Sequence, residues 1–346
     1  MGSNAPAPVP LALAPPYLLF LGDTVEPGFA KTAFGLRDWA GDRCVGEHVL
    51  PGAAVTTGLR AMSPVEARAA GARTLVIGVA NPGGVIPPHW IDALAQAIEA
   101  GLDIASGMHV RLVDQERLVT LAHRYGRRLI DIRTPPPGIP VATGRKRTGK
   151  RLLTVGTDCA LGKKYTALAI ARAFAARGID SDFRATGQTG IMIAGDGMPI
   201  DSVVADFIAG AAESLSPDAA PDHWDVIEGQ GALFHPAYSG VSLGLLHGSQ
   251  PDVFVVCHQP GRTHTLGVPG YRLPGIDEVI EMTLKLGRRT NPAIRCGGIA
   301  LNTGDLDADT AAALFAVQRE RHGLPVADPM RGGEAFDALI AECLRE

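Results

Sequence analysis

Apolar and polar positions alternate in blocks along this chain. Short apolar runs rich in Leu, Val and Ile end in Gly, Asp or Asn clusters, and longer amphipathic stretches follow them. In the first half the runs fall at 17–21, 44–50, 74–80, 102–105 and 128–132, with helical patterns at 30–38, 64–70, 87–100 and 113–125. In the second half strands are predicted at 152–155, 179–184, 224–227, 252–257, 293–300 and 324–327. Helices are predicted there at 165–177, 201–212, 276–286, 309–318 and 333–344, with a helical stretch after Ser239–Ser242. Continuous apolar runs belong to strands covered on both faces, so the pattern predicts parallel sheets flanked by helices, an α/β protein.

Length and breaks in the pattern divide the chain. At 346 residues two domains are expected. We expect a tail at 1–16, an N-terminal domain at 17–134, a Pro-rich and basic linker at 135–150, and a second domain at 151–346. The first residues, MGSNAPAPVPLALAPP, are broken by proline and carry no basic residue before their apolar run, unlike a signal peptide. The linker ends in RKRTGKR, which reads either as a solvated connection or as a clamp on an acidic ligand.

Composition then removes whole classes of function. A formal net charge of -4 gives no general attraction to nucleic acid. Five cysteines without a CxxC pair suit reduced thiols and a cytoplasmic setting rather than a structural zinc site. No apolar run reaches the ~18 residues of a membrane span. A homo-oligomer is expected from the base rate for such proteins.

The candidate chemistry centres on Arg151–Thr166, RLLTVGTDCALGKKYT. An apolar strand, a glycine-bounded loop, a lysine and a helix form the layout of a phosphate-binding loop, with backbone N–H groups and the helix N-terminus around the anion. The expected contacts are Gly156, Thr157, Asp158, Cys159, Ala160, Leu161, Gly162, Lys163, Lys164 and Tyr165. Five residues rather than four separate the glycines, and Lys164 stands where a Ser or Thr usually follows the lysine. Glu228 ends a strand in a Gly-rich loop, the position of a carboxylate that holds Mg²⁺ or orients a reactant. Arg262, after the strand at 252–257, is suited to gripping phosphate or carboxylate. Gln188 and Thr189 lie in a small-residue turn and are further ligand candidates. At predicted strand ends of the first domain, Asp23, Ser106 and His109 face the usual ligand side of a parallel sheet.

The series GTDCALGKKYT, ATGQTG, VVADFIAG, EGQGALFHPAYSGVSLGLLHG and CHQPGR resembles the DUF1611 family, which includes bacterial D-glutamate N-acetyltransferases. Its loop with the extra residue is similar to that of dethiobiotin-synthetase-like P-loop proteins. The resemblance implies a Rossmann-like N-terminal domain followed by a P-loop NTPase-like α/β domain. It also implies phosphate binding by 156–164 with Gln188 and Thr189 beside it, Glu228 and Gln230 in the acidic loop, and His258 with Arg262 near the ligand.

Two mechanisms follow. In the first, acetyl-CoA acetylates the amine of D-glutamate or a similar small acidic amino acid, with Glu228, His109, His235 or His258 as base and no metal required. Asp23, Ser106, Gln230 and Arg262 would then hold the substrate. In the second, ATP with Mg²⁺ activates a carboxylate, as in a ligase or kinase. A non-catalytic nucleotide-binding regulator is the remaining alternative.

Overall fold

A computed structural model describes residues 13–268 and 270–345; most of the expected tail lies outside them. The chain divides into two compact units. Among the described residues, the N-terminal unit takes 13–136 and 188–202, and the P-loop unit takes 137–187, 203–268 and 270–345.

In the N-terminal unit, β1 (Tyr17–Gly22), β2 (Cys44–Val49), β3 (Thr74–Ile77), β4 (Asp103–Ser106) and β5 (Leu129–Asp131) form one parallel sheet in the order β2-β1-β3-β4-β5. Every residue of β1 is buried, as expected of a strand covered on both faces. Helices α1 (Lys31–Trp39), α2 (Pro64–Ala69), α3 (Ile91–Glu99) and α4 (Glu116–Tyr125) supply the connections. Ser63 starts α2 with a capping box to Glu66. The strand order reverses between β1 and β3, where such sheets usually open a ligand crevice. Here Trp90 lies against the end of β1: it is 2% exposed, its Nε1 donates to Asp23 Oδ1 at 2.7 Å, and a Cβ on Gly22 would come within 2.3 Å of its ring.

The P-loop unit carries β6 (Lys150–Gly156), β7 (Ser181–Arg184), β8 (Trp224–Ile227), β9 (Val253–His258), β10 (Arg295–Leu301) and β11 (Val326–Ala327). They form a parallel sheet in the order β11-β10-β9-β6-β8-β7. Its central strand, β6, therefore has β9 on one side and β8 on the other. The helices are α5 (Lys163–Ala176), α7 (Ile208–Leu215), α8 (Ser239–Ser249), α9 (Ile276–Gly287), α10 (Ala308–His322) and α11 (Gly333–Leu344). Among the described residues no helix is long and apolar enough to cross a membrane.

Three expectations change. The turn at 185–190 becomes the short helix α6 (Gln188–Ala194), whose Ile191, Met192 and Ile193 are buried in the N-terminal unit. That unit is therefore built from two separate stretches of chain, not from 17–134 alone. The helix expected at 201–212 is confined to α7, with single 3-10 turns at Ile200–Ser202 and Ala205–Phe207 before it; Asp201 pairs instead with Arg133. The basic end of the linker is not a ligand clamp. Arg147 is 7% exposed and donates to the carbonyls of Ser216 and Gly248 at 2.6 and 2.7 Å, while Arg145 and Lys146 pair with Asp218 and Asp252.

Candidate phosphate and acyl-transfer site

The loop 156–162 joins β6 to α5 and is shaped by close approaches. Gly156 passes the Cys257 carbonyl, which a Cβ would meet at 3.0 Å. Ala160 has φ +52° and Gly162 φ +109°, so the backbone turns through the left-handed region twice before the helix starts. No side chain caps α5, which leaves N–H groups of its first turn available to an anion. Lys163 is buried and its Nζ donates to the Asp158 carbonyl at 2.7 Å. Burial pushes its pKa down, and the neighbouring Asp158 and Glu228 charges oppose that shift. Lys164 lies over the Tyr165 ring at 4.5 Å. The Thr166 hydroxyl accepts from the Cys257 thiol at 3.5 Å on the β9 side, so it does not replace the hydroxyl missing at position 164.

Arg262 is committed to the loop itself. Its Nη1 bonds Asp158 Oδ2 at 3.2 Å and the Cys159 carbonyl at 2.8 Å, and its Nη2 bonds Gln259 Oε1 at 2.6 Å. The expected grip on a ligand therefore requires it to exchange partners. Asp158 is fully buried; Oδ2 also accepts from the Leu266 N–H at 2.8 Å, while Oδ1 has no hydrogen-bond partner. His235 Nε2, also unpartnered, faces Oδ1 at 4.0 Å. The Ala237 N–H donates to His235 Nδ1 at 3.1 Å. Nδ1 is thus the acceptor, and in the neutral ring the proton sits on Nε2. That tautomer places the Nε2 proton on the side of Asp158 Oδ1, within a cluster that Cys159 completes.

On the other flank, β8 delivers Glu228. It is 4% exposed, and its Oε2 accepts from the N–H groups of Thr186 and Gly187 at 3.0 and 3.1 Å. Gly229 lies on β6: its N–H donates to Thr154 Oγ1 at 2.9 Å, and a Cβ there would come within 1.7 Å of the Thr154 carbonyl. Gln230 Nε2 reaches Thr186 Oγ1 at 3.1 Å. Sequence reasoning missed Thr186 and Thr154, although each sits at the C-terminal end of its strand or just beyond it, where such partners are expected. His258 ends β9, with Nδ1 2.9 Å from Thr157 Oγ1. Burial, then the Arg262 charge, lower its pKa and favour the neutral ring.

The structure thus gathers Gly156–Lys164, Glu228, Gln230, His235, His258 and Arg262 in one unit. Asp23, Ser106, His109, Gln188 and Thr189 fall in the other. There Asp23 is tied to Trp90 and His89, and the Trp90 bond holds its pKa below the usual carboxylate value. Ser106 accepts from the Met108 N–H at 3.1 Å, Thr189 shares a hydroxyl bond with Thr32 at 3.0 Å, and His109 is exposed. Gln188 packs on Gly107, with its Oε1 buried and unpartnered.

Comparison with known proteins gives these units a lineage. Residues 140–339 match the DUF1611 C-terminal P-loop domain, and 43–135 match the DUF1611 N-terminal Rossmann-like domain; both are described as domains of unknown function. A D-glutamate N-acetyltransferase of Tritonibacter scottomollicae is 52% identical over 328 residues, covering 94% of this chain and 98% of that protein. One from a Pseudoalteromonas species is 47% identical over 331 residues, covering 96% and 99%. The crystal structure of a DUF1611 family protein from Anabaena variabilis superposes with a TM-score of 0.84 at 32% identity, covering 95% of this chain and 99% of that one. Similarity of this extent, across both units and the site loops, makes the chain a member of the DUF1611 family.

Proposed function

We propose that the protein is an acetyl-CoA-dependent N-acetyltransferase that acts on the amine of D-glutamate, or a closely similar small acidic amino acid, giving N-acetyl-D-glutamate and CoA. The observation that carries this reading is the near-full-length identity to two proteins named for that activity. The site fits the donor: an uncapped helix N-terminus, Lys163 and Lys164 suit a diphosphate, and no hydroxyl stands at 164 to ligate Mg²⁺.

Acetyl-CoA supplies an activated thioester; the chain must hold it, free the amine and receive the proton. We assign proton removal to Glu228, oriented by the Thr186 and Gly187 N–H groups. The amine nitrogen bonds to the thioester carbon, the C–S bond breaks, and the amine proton passes to Glu228, which returns it to the departing sulfur so that CoA leaves as its thiol. Burial raises the pKa of Cys159 and takes that of Cys257 up to about 11. Neither thiol is therefore primed as an acyl carrier, which favours direct transfer.

The test is incubation with D-glutamate and either acetyl-CoA or Mg-ATP, following free thiol and ADP. Thiol release with acetyl-CoA is expected, and ADP formation without thiol release would overturn the reading. Glu228→Gln is expected to lower kcat by about 10²–10⁴-fold and to leave the KM for acetyl-CoA within about twofold. Unchanged kcat would remove Glu228 from the chemistry.

A further inference from the structure

The P-loop unit contains a recess of about 290 Å³ that the roles assigned above leave unused. It lies at the C-terminal ends of β9 and β10, between the start of α9 and the last turns of α10. Pro260, Pro274, Ile276, Leu301 and Leu314 give it apolar walls, and Gln318 gives it a polar edge. His322 Nδ1 is 2.6 Å from Asp277 Oδ1 and its Nε2 is 3.0 Å from Gln318 Oε1. The amide is thereby held in one plane, with its other end available. His258, already bonded to Thr157 of the phosphate loop, lines the same recess.

We propose that this recess binds the adenine ring of the acyl donor whose diphosphate rests on 156–164, an assignment that depends on the acetyl-transfer reading. Its volume of about 290 Å³ lies just below the ~300–1,000 Å³ range of ligand sites, which suits one flat moiety rather than a whole cofactor. The Nε2 end of the Gln318 carboxamide can donate to a ring nitrogen on the polar edge of adenine, and apolar walls suit its faces. His258, which lines the recess and bonds Thr157, sets the recess beside the loop, as a ring attached to the bound diphosphate requires.

Sheet order then fixes the direction of the donor. With β6 between β9 and β8, adenine on the β9 side sends the thioester toward β8, where Glu228 and Gln230 stand. His258 accordingly positions the nucleoside end and is not the base.

The experiment compares acetyl-CoA with S-acetyl-4′-phosphopantetheine, which lacks the 3′-phosphoadenylyl group and keeps a single phosphate. Wild-type protein is expected to prefer acetyl-CoA. Leu314→Trp, which fills the recess, should lower kcat/KM for acetyl-CoA by about tenfold or more, through KM, while leaving the truncated donor unaffected. Gln318→Ala should raise the KM for acetyl-CoA about threefold, again without effect on the truncated donor; it decides the matter if Leu314→Trp does not fold. Folded variants with wild-type KM for acetyl-CoA, or with equal losses on both donors, would overturn the assignment. Absence of thiol release from either donor with wild-type protein would instead sink the acetyl-transfer reading, and the adenine assignment with it.

Discussion

Lys163 and Glu228 carry different parts of the proposed reaction: one is assigned to the loop that would hold the donor, the other to the strand end that would meet the acceptor. Their substitutions should therefore separate in kinetics. Lys163→Ala removes the buried cation beside the anion site and is expected to raise the KM for acetyl-CoA by about tenfold or more, whereas Glu228→Gln acts on kcat; steady-state kinetics read both. Away from the site, Asp218 reports on the linker. A hydrogen bond from Arg145, then one from the Thr148 N–H, hold its pKa at about 2, below the ordinary 3.8. A depressed carboxylate contributes stability above its ordinary pKa and loses it as pH falls through the folded value. Asp218→Asn should flatten the pH dependence of stability between about 4 and about 2, as measured by urea unfolding across that range; an unchanged profile would dissociate Asp218 from acid sensitivity.

At the scale of elements, the buried Arg151 pins the first strand of the P-loop unit. It is 1% exposed; its Nε donates to Ser216 Oγ at 2.7 Å and its Nη2 to the Pro217 carbonyl at 2.8 Å, tying the start of β6 to the end of α7. Arg151→Leu strands those acceptors and is expected to cost about 3–5 kcal/mol of stability, read from denaturant midpoints. The strand, loop and helix around Arg151–Thr166 were legible in the sequence because their signals are local: apolar run, glycines, lysine, helix. Glu228 was legible for the same reason, as an acid at a strand end. What the sequence did not show depends on distant partners. Arg262 bonds the loop itself where a grip on a ligand was expected, the His235 tautomer depends on the Ala237 N–H, and helix α6 forms because Ile191 and Met192 find an apolar face supplied by residues far away in the chain. The recess lined by Leu301, Leu314 and Gln318 was invisible for that reason too.

On the scale of the molecule, the two units do not correspond to two uninterrupted pieces of chain. Residues 188–202 leave the P-loop unit to complete the N-terminal one, where α6 packs on α1 and Thr189 meets Thr32. A fragment spanning 10–136 is therefore expected to expose the apolar face that α6 covers. It should bind a hydrophobic dye and unfold at lower denaturant than the same fragment carrying 188–202 on a flexible tether; equal midpoints would show that the segment is dispensable to that fold.

The bond between Lys163 and the Asp158 carbonyl aims the ammonium before any ligand arrives. It uses one of three N–H donors and leaves two for an anion. On the proposed reading, a diphosphate would then meet a cation already fixed beside the helix N-terminus and would lose little side-chain entropy on binding.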